Sequence, residues 1–110
     1  MNKLALSASQ FRDVCDSTRD AINSLAGCRW NEIPNEARIL RGALARLLGA
    51  KLGRRNQSLL DRRAQLEVRA GVVLRQREAE AAGEQRAARY DAHVIDHALA
   101  SIRAPRRVHI

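Results

Sequence analysis

The chain has 110 residues, which bounds it to about one domain. Only 3% are aromatic, so a core must be built from Leu, Ile and Val. Formal net charge is +8, and no run of about 20 apolar residues is present. These features exclude a membrane-spanning helix and a disulfide scaffold, since Cys15 and Cys28 are the only cysteines. Ala, Leu, Arg and Glu dominate, and all favour helix. No stretch alternates β-branched and polar residues, so strands are not expected.

The first helix is expected at roughly 8–26. Ser7 and Gln10 have capping-box spacing, with Leu6 and Phe11 placed for a hydrophobic staple. Phe11, Val14, Cys15, Thr18, Ile22 and Leu25 then form one stripe, with Asp13, Asp16 and Asp20 opposite. Gly27 is a natural stop. A second helix is expected at roughly 35–52, capped by Asn31 or Asn35 and carrying Pro34 in its first turn. Ile39, Leu40, Ala43, Leu44, Leu47 and Leu48 form its apolar arc. Ala45, Gly49 and Gly53 make a ladder of small residues, which suggests close approach by another helix.

From Leu59 to Arg103 nearly every residue favours helix. Leu59, Leu66 and Val73 repeat every seven residues, with Ala70 between, as in a short coiled-coil seam. These four residues are the expected self-association surface. Arg63 and Arg77 interrupt the seam. Apolar content thins near Gly83, so either one long helix or a hairpin broken there is open. A continuous helix would separate positions 66 and 95 by roughly 44 Å. Ala87, Val94, Ile95, Ala98, Leu99 and Ile102 resume the stripe before Pro105 stops it. The expected fold is all-α: a three- or four-helix bundle with a long C-terminal helix or helical hairpin. Residues 1–104 would form one domain and 105–110 a basic tail.

Charge is unevenly spread. Residues 1–37 carry a net charge of −1, residues 38–77 +9, residues 78–97 −3 and residues 98–110 +3. The basic block holds eleven cations and two acids. Such asymmetry points to an anionic partner or to pairing within the chain. Arg38, Arg41, Arg46, Lys51, Arg54, Arg55, Arg62 and Arg63 are the candidate nucleic-acid-binding residues, focused near Arg54 and Arg55. Interleaved aromatics for single-strand stacking are lacking.

Leu44–Ala50 resembles the first helix and turn of a helix-turn-helix, with Ala45 and Gly49 at the small-residue positions. The resemblance covers seven residues; Arg55 and Ser58 then stand where the second helix should be apolar. His93 and His97 have metal-ligand spacing, but no third ligand is placed beside them. No phosphate loop, nucleophile elbow or zinc-protease motif occurs. The sequence therefore reads as a non-enzyme with no metal or cofactor.

Arg and Ala usage suggests a GC-rich bacterial or phage genome. The N-terminal apolar run is too short for a signal peptide, so a cytoplasmic location is expected. The expected partner is nucleic acid or a nucleic-acid-processing protein, with self-association into a homo-oligomer. No membrane or small-molecule substrate is expected. The alternative function is that of an adaptor or inhibitor docked on a larger machine.

Overall fold

The computed structural model describes residues 6–53 and 56–103. It is all-α, with three helices: α1 (Ala8–Gly27), α2 (Ile33–Gly49) and α3 (Gln57–Arg103). A 3-10 turn, Trp30–Glu32, leads into α2.

α1 starts where local chemistry says it should. Ser7 accepts from the Gln10 backbone, and the Gln10 side chain accepts from the Ser7 N–H. These bonds satisfy donors that a helix start otherwise leaves open. Leu6 packs on the core, and its N–H donates to the Lys51 carbonyl at 3.2 Å. Phe11, Cys15, Thr18, Ile22 and Leu25 alternate at four- and three-residue steps and are fully buried. Thr18 is polar, but its hydroxyl donates to the Val14 carbonyl at 2.8 Å.

α2 begins two residues before its expected start and ends three before its expected stop. Pro34 sits in the first turn, where no intrahelical N–H is needed. Neither Asn31 nor Asn35 caps it; Glu32 stands at the N-cap without a side-chain bond. Ile33, Ala37, Leu40 and Leu47 face the core. Ile39 and Leu48 lie off that stripe and are 44% and 46% exposed, so the apolar arc is narrower than expected.

Contacts between the helices give the topology. Asp16 meets Arg62, Asn23 meets Arg69 and Cys28 meets Arg77, so α1 and α3 run parallel. Ala50 meets Arg63 and Arg41 meets Glu78, so α2 runs antiparallel to α3. α3 is one unbroken helix through Gly83, not a hairpin. At 1.5 Å per residue its 47 residues span about 70 Å, far longer than α1 or α2. It therefore leaves the bundle near Ala81, and every residue from Glu84 to Ile102 is exposed. The molecule measures 89 × 27 × 18 Å: a small bundle with a projecting helical arm.

The seam residues are spent inside this bundle. Leu59, Leu66 and Ala70 are buried in the core, and Val73 packs against it. Heptad spacing marks the correct face of α3, but α1 and α2 already cover that face. It is not an open self-association surface.

Candidate nucleic-acid interface

Helix directions divide the molecule into two poles. The ends of α1 and α3 that carry their N-termini lie beside the C-terminus of α2, tied by the Leu6–Lys51 bond. Helix N-termini carry partial positive charge. The connector between α2 and α3 adds Lys51, and in sequence Arg54 and Arg55. Those two arginines lie outside the described residues. The opposite pole holds the C-terminus of α1, the start of α2 and the departing arm.

The candidate cations separate into two groups. Arg41 pairs with Glu78, and Arg62 pairs with Asp16 at 2.9 Å. Arg63 donates to the carbonyl of Ala50 at 3.3 Å. These three are at least partly committed to holding the bundle. Arg38, Arg46 and Lys51 are exposed and have no acidic partner among the described residues. Arg38 donates to Asn35 at 2.9 Å, which holds its guanidinium over α2 while leaving other donors available.

On α2, Arg38, Gly42, Ala45, Arg46 and Gly49 share the face turned away from the core. A Cβ added at Gly42 or Gly49 would meet no atom within 4 Å. Among the described residues, no helix packs on the small-residue ladder. It is instead a smooth open strip flanked by arginines.

Two arginines that interrupt the seam have a different use. Arg63 reaches the carbonyl of Ala50, the C-cap residue of α2. Arg77 reaches the carbonyl of Cys28, the C-cap residue of α1, and also pairs with Glu80 at 2.6 Å. Each places a cation at the negative end of a helix and satisfies an oxygen that the helix leaves open. By sequence Arg77 falls in the basic block, yet its role is in the fold. Arg77→Leu is accordingly expected to lower the melting temperature by several degrees without weakening any anion binding. Thermal circular dichroism of Arg77→Leu beside Arg38→Leu checks this, since only the first should destabilise.

No protein-family model, curated protein or solved structure matches the chain.

The helix-turn-helix resemblance does not hold in the structure. Residues 50–56 separate α2 from α3, a longer link than that motif's three- or four-residue turn. α3 also turns Leu59 and Leu66 into the core, and its length suits a structural spine more than a short reading helix. His93 and His97 are exposed on the arm. Among the described residues no three His, Cys, Asp or Glu side chains gather as metal ligands. A shallow crevice of about 290 Å³ lies where the arm leaves the bundle, lined by Ile33, Pro34, Ala37 and Ala81 and bridged by Arg41 and Glu78.

The two thiols differ. Burial pushes the Cys15 thiol up, opposed by Arg62 and assisted by Asp16. A raised thiol pKa stabilises the fold at neutral pH, and that contribution fades as pH climbs past the ordinary thiol range. Cys28 is half-buried and donates its S–H to the Leu25 carbonyl at 3.3 Å. Maleimide should therefore label one thiol of the native protein, Cys28, with Cys15 reacting only on unfolding. Peptide mapping after labelling in buffer and in denaturant reads the two rates.

Proposed function

We propose that the protein binds nucleic acid through its phosphate backbone, without reading sequence, using the basic pole and the open face of α2. The observation that carries this reading is the separation of cations just described. Intramolecular pairing absorbs Arg41 and Arg62, yet Arg38, Arg46 and Lys51 stay exposed with no acidic partner among the described residues. Arg54 and Arg55 add charge in the same connector by sequence.

Physical chemistry favours phosphate over other anions for such a surface. Apart from the ammonium of Lys51, its charges are guanidinium groups, and Arg matches phosphate geometry with paired donors. Bare glycine and alanine between Arg38 and Arg46 permit close approach of a backbone. The positive N-termini of α1 and α3 outnumber the negative C-terminus of α2 at this pole, and Arg63 caps the latter. These cations are assigned to phosphate and not to base edges, so affinity should depend on salt and little on sequence. In this reading the protein is an accessory factor with no chemistry of its own.

The test is fluorescence anisotropy with a generic duplex and a generic single strand at low salt. Binding to either supports the reading; no binding to both at low salt removes it. Capture from nuclease-treated lysate separates the competing reading, because an adaptor would retain a stoichiometric protein partner after nuclease.

A further inference from the structure

We infer that the arm of α3 is a homodimerisation element, in which two copies pack their arms antiparallel along a stripe from Ala88 to Ile102.

α3 carries its apolar stripe twice, at an offset of 29 residues. Leu59, Leu66, Ala70 and Val73 cover α1 and α2. Each has an apolar counterpart 29 residues later: Ala88, Ile95, Leu99 and Ile102. At 3.6 residues per turn this offset is almost eight whole turns, so both sets lie on one side of the helix. The stripe that closes the bundle thus continues along the arm after its cover has ended. Its members there are bare: Ile95 is 58%, Leu99 42% and Ile102 79% exposed. Within the arm, Ala88, Ala92, Ile95, Leu99 and Ile102 alternate at steps of four and three, the spacing of a two-helix seam.

Charge identifies the occupant. Residues 84–103 hold three acids and three arginines, a net charge of zero, whereas residues 6–83 carry +5. A neutral arm has no attraction for a nucleic acid backbone or an anionic bilayer. Two copies of it meet without net repulsion. Antiparallel pairing also sets the two positive bundles at opposite ends, where ionic screening over roughly 8 Å removes their repulsion. Parallel pairing would place them side by side. The midpoint of the stripe is Ile95, so the two-fold axis passes near that residue. The resulting particle carries a basic pole at each end. This geometry stands whether or not the poles bind nucleic acid.

Sedimentation equilibrium of the full chain tests it, beside Ile95→Glu with Leu99→Glu. The substitutions fall on exposed arm residues, so the bundle should melt as in the wild type. The expected result is a dimer for the wild type and a monomer for the double variant. Orientation is read in a Cys28→Ser background, by oxidising Ile95→Cys and Ala88→Cys separately. Antiparallel arms crosslink strongly at 95 and weakly at 88. A monomeric wild type overturns the inference, including one that binds neutral vesicles or a foreign helix through the arm. So does a dimer that survives the double variant, or equal crosslinking at 95 and 88.

Discussion

Phe11→Ala should remove a large share of the bundle's thermal stability, lowering the melting temperature by about 15–25 °C. Phe11 is fully buried and is the only aromatic side chain in the core, since Trp30 is 56% and Tyr90 68% exposed. It sits one turn into α1, beneath the capping box, and its N–H donates to the Ser7 carbonyl at 2.9 Å. Leu6 packs on the same cluster and ties α1 to Lys51. Removing the ring leaves a cavity that neighbouring Leu and Ile side chains fill only in part. Such truncations cost about 3–5 kcal/mol. Whole small domains are stable by about 5–15 kcal/mol. One residue therefore holds a large share of the total. Ile95→Ala is the matched control: it deletes an apolar side chain of similar rank that is 58% exposed, and the bundle's transition should not move. Thermal unfolding followed by circular dichroism compares the two directly. Equal effects would mean that the arm contributes as much to stability as the bundle's core does.

Replacing Arg38, Arg46 and Lys51 together by Glu should weaken binding to a generic duplex by roughly 100-fold or more at low salt. Each of these positions is exposed and lacks an acidic partner among the described residues, so the fold should tolerate reversal. A phosphate that no cation neutralises keeps its condensed counterions, and their release is the main driving force for such binding. Arg77→Leu supplies the opposite pattern. Its side chain is only 18% exposed and its guanidinium is engaged with Cys28 and Glu80, so stability falls and binding stays. The pair of variants separates charge that holds the fold from charge that meets a partner. Net charge alone cannot make that distinction, because both kinds count equally in the +8.

How far the fold is legible depends on whether the signal is local. α1 can be read almost to the residue, because its capping box and its stripe both lie within the helix. α2 is displaced from its expected span, because neither expected Asn cap sets its start: Glu32 stands at the N-cap without a side-chain bond. Gly83 cannot be resolved from sequence: an isolated glycine in a solvated helix has no packing to reveal whether the chain bends. The heptad of Leu59, Leu66 and Val73 locates the buried face of α3, but the same spacing serves an internal neighbour or a second chain. Arg63 and Arg77 look like flaws in that seam. Their purpose depends on two backbone carbonyls, those of Ala50 and Cys28, that only the folded chain brings near. The basic block is legible as an excess of charge. Which of its members face solvent is not, since Asp16 and Glu78 are far from their partners in sequence.

The dependence of duplex affinity on salt tests backbone binding most directly. For the wild type, a plot of log affinity against log salt should fall with a slope steeper than about −3, and equally for two unrelated sequences. The triple variant at Arg38, Arg46 and Lys51 should lose about three units of that slope, at roughly 0.9 per phosphate. A flat plot, a clear preference for one sequence, or an unchanged slope in the triple variant would contradict binding through this face.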